Sequence, residues 1–147
     1  MTLEQLYRNV EDRVFTLGRR FLRDDPTALL REEIDRVSAE LQEEYAAAAR
    51  EEEAAASARV RIADAEVREG ILESHVEAAV SAGDQYIAWH KALDLDHTRQ
   101  RLAADRAELP RAEAAARRHR EQVARLEYRL GLLQARLNAR LSARRSR

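Results

Sequence analysis

The sequence contains no cysteine and little glycine, proline or aromatic residue. The absence of cysteine excludes disulfides and thiolate chemistry and fits a reducing compartment. The four glycines are isolated from one another, so no glycine-rich loop is present to cradle a phosphate. Aromatic residues make up 5% and charged residues 36% of the chain, a composition that argues against a compact domain with a thick core.

Long apolar runs are also missing. No basic stretch precedes a continuous apolar segment near the start, and no run approaches the roughly 18 apolar residues of a membrane-spanning helix. We therefore expect a cytoplasmic protein that is neither secreted nor transmembrane. The formal net charge of −1 does not by itself demand a nucleic-acid partner.

What the chain does contain is mostly Ala, Arg, Glu and Leu, the composition of coiled coils and long helices. Asp24-Asp25-Pro26 predicts a helix start, because proline suits the first helical turn and a preceding aspartate caps it. Apolar residues with heptad spacing follow. They are Leu30, Ile34, Val37, Leu41, Ala48, Ala55, Ala58, Ile62, Ala65, Leu72, Val76 and Ala79.

Gly83-Asp84 interrupts this pattern, since glycine ends helices and aspartate caps the next one. A second heptad seam follows, made of Leu95, Leu102, Leu109, Ala112, Ala116, Val123, Leu126, Leu130, Leu133 and Leu137. In an antiparallel hairpin, the residue number rises along one helix as it falls along the other, so the numbers of two facing residues always add up to the same value. Ile34 with Leu133, Leu41 with Leu126, and Leu72 with Leu95 all give 167, and half of that sum falls between Gly83 and Asp84.

The charge distribution agrees with this fold-back. Residues 24–53 contain three Arg and eleven acidic residues, 3 − 11 = −8, while residues 114–143 contain seven Arg and two Glu, 7 − 2 = +5. Opposite charges on the two arms favour their antiparallel pairing. Polar residues interrupt the seams, at Glu44, Glu51, Glu69, Thr98, Asp105 and His119.

The sequence thus predicts an all-α fold, a short N-terminal amphipathic helix followed by a long antiparallel two-helix coiled-coil hairpin. The predicted boundaries are residues 1–23 for the amphipathic helix, 26–82 and 86–143 for the arms, 83–85 for the turn and 144–147 for a basic tail. Pro110 lies within the second arm, where we interpret it as a local kink, with a functional hinge as the alternative.

The N-terminal segment combines an apolar stripe with basic residues. The stripe is Leu3, Leu6, Val10, Val14, Leu17 and Phe21, and the basic residues are Arg8, Arg13, Arg19, Arg20 and Arg23. Such a helix suits the plane of an anionic membrane, with aliphatic groups in the acyl boundary and arginines at the head groups. The alternative is that the stripe packs on the hairpin or on another subunit.

Residues with catalytic or metal-binding chemistry are sparse. His90, Asp94 and His97 could share a helix face, but a solvated polar surface is the better interpretation than a metal site. Carboxylates on a pocketless hairpin have nothing to perturb their pKa, so acid–base catalysis is not expected. The sequence predicts no catalytic residue, no metal and no cofactor. The arginine-rich C-terminal segment could contact phosphates, although pairing with the acidic arm accounts for much of it.

The order of these features resembles the phage-shock-protein A family, bacterial relatives of ESCRT-III proteins. The resemblance lies in Asp24-Asp25-Pro26 followed by Leu29, Leu30 and Ile34, and in Gly83-Asp84 followed by Ile87-Ala88 and Ala92. It implies a peripheral protein on the inner face of the cell membrane, which forms homo-oligomers and maintains or remodels membranes under stress. Some members also hold a transcriptional activator inactive through the hairpin. The family tends to have Trp in the first arm near the position of Gly70, whereas the sole Trp here is Trp89.

Our leading hypothesis from the sequence is therefore a structural protein that binds anionic membrane lipid through residues 1–23 and assembles with copies of itself. The alternative is a soluble coiled-coil adaptor that binds a regulatory protein along the hairpin. Binding of nucleic acid by the arginine-rich segment ranks third and is not expected.

Overall fold

The computed structural model describes residues 25–147, which form two long α-helices. Helix α1 spans Pro26–Ser81 and helix α2 spans Gln85–Arg145. The described part of the chain contains no strand. The predicted all-α fold with two packed arms is thereby confirmed, whereas the amphipathic helix predicted for residues 1–23 lies outside the described residues.

Helix α1 begins with a complete N-cap. Asp25 Oδ1 accepts hydrogen bonds from the Thr27 backbone N–H at 3.0 Å and from the Thr27 hydroxyl at 2.6 Å. Pro26 occupies the first helical position, where its missing N–H leaves no bond unmade. The hydrogen bonds from Thr27 are the main cause that lowers the pKa of Asp25, and Arg144 adds to it. The cap therefore favours the ionised carboxylate.

The turn between the helices is a Schellman motif. Gly83 has φ = +71°, a conformation that L-residues with a side chain rarely adopt. Its N–H donates to the Val80 carbonyl at 3.1 Å, and the N–H of Asp84 donates to the Ala79 carbonyl at 3.0 Å, the two bonds that define this motif. Asp84 then caps α2, because its Oδ1 accepts from the Ile87 N–H at 3.1 Å.

The helix ends differ slightly from the predicted arms. Helix α1 stops at Ser81, and α2 begins at Gln85 and continues to Arg145, so the first two residues of the predicted basic tail are helical. Arginines in a last turn interact favourably with the carbonyl end of the helix dipole. Pro110 lies inside the continuous α2 with an exposed side chain, so it does not mark a boundary.

The described residues divide into two units, which we name by position. The terminal unit combines residues 25–43 with Val123–Arg147, and the turn unit comprises Glu44–Gln122. In the terminal unit, large aliphatic side chains from both helices form one buried cluster. It contains Val37, Leu41, Val123, Leu126 and Leu133, with Leu30, Ile34 and Leu130 packed against it. All eight are seam positions in the sequence.

The turn unit has a thinner core. Its buried seam residues are mostly alanines, namely Ala48, Ala55, Ala58, Ala79, Ala112 and Ala116, joined by Leu72, Leu95 and Leu102. The helices run antiparallel, because partners on α2 fall in number as those on α1 rise: Glu44 pairs with His119, and Glu69 with Arg99. The sums of these pairs, 163 and 168, lie close to the seam sum of 167.

Candidate interaction surfaces

Five of the six polar seam residues, all except Glu51, have partners among the described residues. His119 Nδ1 lies 2.6 Å from Glu44 Oε2. The buried Thr98 donates its hydroxyl proton to the Asp94 carbonyl at 2.9 Å. Arg61 Nε donates to Asp105 Oδ1 at 2.9 Å. Because such pairing satisfies groups that would be costly to bury alone, it stabilises the folded hairpin.

Ion pairs between the helices line both edges of the turn unit. Arg120 donates from Nε and Nη2 to the two carboxylate oxygens of Glu52 at 2.7 and 2.8 Å, which lowers the pKa of Glu52 and raises that of Arg120. Hydrogen bonds to Glu69 and Glu73 likewise raise the pKa of Arg99. These side chains are exposed, so each pair adds little stability. Their main consequence is to favour one register.

The His90, Asp94 and His97 set does not form a metal site. Within residues 25–147, no group of three His, Cys, Asp or Glu side chains could hold a metal ion. His97 and Asp94 instead line a surface groove of the turn unit together with Arg61, Arg68 and Arg101. Guanidinium groups at such a site repel a cation. The groove also carries acidic side chains and has no dominant charge.

Large aliphatic residues are exposed on the side of α1 opposite the seam in the turn unit, around the exposed Asp64. Val60, Val67 and Ile71 are spaced by seven and four residues and are 61%, 65% and 51% exposed. This spacing places them on one face of the helix. The small residues Ala56, Ser74 and Ala78 extend the same face and are also exposed. The turn unit therefore exposes several large aliphatic residues on α1, while alanines fill most of its buried seam.

An aromatic patch lies at the beginning of α2. Tyr86 and Trp89 are 73% and 62% exposed, and both contact the imidazole of His90 edge-on, with ring centroids 4.3 and 5.4 Å apart. Leu93 is exposed on the same side of the helix. Tyrosine and tryptophan combine a large apolar area with a polar edge, which suits residues that become covered on binding.

An arginine groove lies in the terminal unit where α1 begins. It is lined by Pro26, Thr27, Arg140, Ala143, Arg144 and Arg147. Arg144 donates from Nη2 to Asp25 Oδ1 at 3.2 Å and from Nη1 to the Thr27 hydroxyl at 3.4 Å, so it holds α2 to the cap of α1. Arg140 and Arg147 make no ion pair with any other described residue.

The opposite charges of the two arms predicted many ion pairs between the helices. The terminal unit has fewer such ion pairs than the turn unit. Glu33 pairs with Arg129 and Asp25 pairs with Arg144. Arg136 is exposed and, within the described part of the chain, has no ion-pair partner. Pairing with the acidic arm therefore leaves most of the positive charge beyond Arg129 available to another partner.

No helix in residues 25–147 is long and apolar enough to cross a membrane.

The structure brings the predicted seam residues of the terminal unit together in one cluster and buries Leu72, Leu95 and Leu102 in the turn unit. The turn residues Gly83 and Asp84 make the glycine turn and the cap. The stripe from Leu3 to Phe21 and its arginines lie outside the described residues. The aromatic patch was not identified as a site from the sequence. The arginine-rich segment was identified as one that could contact phosphates, but not its position around the start of α1. Tyr86, Trp89 and Leu93 are large residues at positions opposite the seam, and this pattern in the sequence would have indicated the aromatic patch.

No protein-family model matches the chain, and a comparison with curated proteins finds no match.

Proposed function

We propose that this chain is a non-enzymatic structural protein of the phage-shock type. Residues 1–23 bind anionic membrane lipid from the inner face of the cell membrane, and the hairpins pack side by side on it to maintain or remodel the bilayer. The proposal joins a membrane contact to a protein contact. Each part has its own support in the chain.

The observation that carries the proposal is the exposure of large aliphatic residues in the turn unit, whose buried seam is mostly alanine. Val60, Val67 and Ile71 are more than half exposed while Ala48 and Ala58 are completely buried. Each large apolar side chain that becomes covered contributes roughly 1.5 to 3 kcal/mol. A second copy placed against this face would supply the apolar contact that the alanine seam provides only weakly.

The amphipathic pattern of residues 1–23 supports the membrane contact. Its apolar stripe contains Leu, Val and Phe at helical spacing, and five arginines outnumber Glu4, Glu11 and Asp12. Each arginine near an anionic surface adds about 1 kcal/mol, and each inserted apolar side chain adds more. The apolar stripe should therefore dominate the affinity and charge should modulate it.

Vesicle sedimentation followed by electron microscopy tests both contacts in one experiment. The full chain is mixed with zwitterionic vesicles that do or do not contain phosphatidylglycerol. Val14→Asp should abolish sedimentation, whereas Thr16→Asp, which adds the same charge opposite the stripe, should preserve it. Val67→Glu should still sediment but should no longer form ordered assemblies on the vesicle, because a charge on the outer apolar face opposes its burial.

The controls separate folding from function. Ala103→Glu adds a carboxylate to an exposed site of α2 in the same unit and should assemble normally. All variants should keep the wild-type helical circular dichroism. The membrane function is wrong if the wild-type chain ignores anionic vesicles at low salt, or if deletion of residues 1–23 leaves vesicle binding intact.

The aromatic patch favours a second candidate, an adaptor that binds a regulatory protein along the hairpin. Trp and Tyr are enriched among residues that dominate protein interfaces. The segment 84–97 contains Asp84, Asp94 and Asp96 against Lys91 alone, which disfavours contact with an anionic membrane. If the chain does not bind vesicles, a photo-cross-linking residue at Tyr86 should capture one defined protein partner, and Trp89→Ala should abolish that capture.

A further inference from the structure

The arginine groove has a charge that the fold does not use. Residues 136–147 contain five arginines and no acidic residue. Arg144 is bound to Asp25 and Thr27, but Arg136, Arg140 and Arg147 make no ion pair within the described part of the chain. Like charges four residues apart on a helix, such as those of Arg136 and Arg140, repel each other, and no described carboxylate pairs with either of them to offset this repulsion. A partner that neutralises them would relieve it.

We propose that Arg140, Arg144 and Arg147, together with the adjacent Arg136, form a docking surface for the anionic head groups of a lipid membrane. This surface is a second membrane contact, distinct from residues 1–23, and the inference rests on the proposed membrane function. It consists of side chains from the last turns of α2 and of Arg147, two residues beyond that helix, near the start of α1.

The chemistry of the side chains fits phosphate groups. A guanidinium presents a planar fork of N–H donors that matches two oxygens of a phosphate, and it remains charged at every physiological pH. Thr27 lines the same groove, but its hydroxyl already donates to Asp25. The arginines are therefore the groups that would bind head groups.

The position of the groove selects a membrane as the partner. Arg144 contacts Asp25 at 3.2 Å, and Asp25 is only two residues after the segment that we assign to lipid. Because the chain is covalently continuous there, a membrane bound by residues 1–23 comes within reach of the groove. Two weak contacts on one surface reinforce each other, since the second forms at high effective concentration.

The charge of the rest of the terminal unit disfavours nucleic acid. Residues 25–43 of α1 contain two Arg and six acidic residues, 2 − 6 = −4. An extended polyanion that lies along the unit would meet this charge at close range. A membrane that contacts only the end where α1 begins would meet only Asp25 of this group, which Arg144 already pairs with, because the other five carboxylates lie further along the helix.

The test compares two triple variants of the full chain with equal net charge. The groove variant replaces Arg136, Arg140 and Arg147 by Gln, and it keeps Arg144 because that side chain holds the cap. The control variant replaces Arg101, Arg111 and Arg118 by Gln, which are exposed arginines of the turn unit without an ion pair in the described residues. Affinity for phosphatidylglycerol vesicles is measured by sedimentation at low salt.

The groove variant should bind about 5-fold more weakly per arginine, on the order of 100-fold in total, because each arginine near an anionic surface adds about 1 kcal/mol. The control variant should stay within a few-fold of wild type. Equal binding by all three proteins would overturn the docking surface and leave the proposed function intact. No vesicle binding by the wild-type chain would overturn both.

Two further results would also overturn the inference. The first is an equal loss in both variants, which would indicate a general charge effect. The second is unchanged vesicle binding in the groove variant together with loss of salt-dependent binding to duplex DNA, which would assign the groove to nucleic acid.

A fluorescent probe tests the location directly, since the chain has no cysteine of its own. A probe attached through Ser146→Cys should be quenched by a head-group quencher in the vesicle. A probe at Ala39→Cys, exposed about 20 Å further along α1 from Asp25 in the same unit, should be quenched much less. Equal quenching at the two sites contradicts the proposed contact.

Discussion

The terminal unit and the turn unit use the same heptad pattern in opposite ways. The terminal unit buries Val37, Leu41, Leu126 and Leu133 and has few ion pairs between its helices. The turn unit buries mostly alanine, has many such ion pairs, and exposes Val60, Val67, Ile71, Tyr86 and Trp89. The first unit has an ordinary hydrophobic core of its own, while the second leaves several large apolar side chains exposed.

The difference has a physical consequence for stability and function. Burial of Leu or Val contributes several times the free energy of burial of Ala, whereas an exposed ion pair contributes at most about 1 kcal/mol. The terminal unit should therefore stabilise the hairpin. The turn unit should be the more adaptable part, with a register chosen by charge and an outer face suited to a partner.

The largest expected effect comes from a charge in the terminal core. Leu126→Asp places a carboxylate at a position that is 4% exposed among aliphatic side chains, which should cost about 3 to 5 kcal/mol. Loss of protection from hydrogen exchange should concentrate in residues 25–43 and 123–145. The control is Ala124→Asp, at an exposed site two residues earlier, which should unfold close to wild type. An unchanged melting curve for Leu126→Asp would exclude it from the core.

The second prediction concerns the alanine seam of the turn unit. Ala58 is completely buried, so Ala58→Leu should force the helices apart and cost about 1 to 3 kcal/mol. Ala56→Leu makes the same change at an exposed site of the same helix and should be nearly neutral. Urea unfolding measures both variants. Stabilisation by Ala58→Leu would contradict this prediction. It would mean that the alanine seam contains unfilled space, and that the turn unit is less densely packed than the terminal unit.

The smallest expected effect is electrostatic. The pKa of Glu52 is lowered by Arg120, so the stability from this pair is present above the ordinary pKa of 4.5 and is lost as the pH falls through the lower folded pKa. Glu52→Gln should thus melt slightly below wild type at neutral pH, and the difference should vanish in acid. A difference that persists at low pH would show that Glu52 acts through packing.

Several local features of the fold were accessible from sequence because they depend on neighbouring residues. Asp25-Pro26 and Gly83-Asp84 act through backbone hydrogen bonds within a few residues, and the structure shows the cap and the Schellman turn at these positions. The seam was accessible because heptad spacing repeats over many turns. The end of α2 was missed by two residues, since Arg144 and Arg145 are compatible with both a last turn and a tail.

The candidate surfaces were harder to identify. Exposure of Trp89 or Val67 depends on which helix face the partner helix covers, and composition alone does not show that. The free charge of the arginine groove depends on which arginines find an acidic partner. The sequence predicted broad pairing between the arms, but the side chains of Arg136, Arg140 and Arg147 find no such partner among the described residues.

The helical class, the positions of the cap and turn, and the antiparallel direction of the helices could be predicted from the sequence, because they follow from local hydrogen bonding and from a period that matches the helix. The ion pairs that form, and the apolar and basic residues that stay exposed, could be identified only in the folded hairpin. Those properties depend on the geometry between the two helices, where residues more than a hundred positions apart, such as Asp25 and Arg144, come into contact.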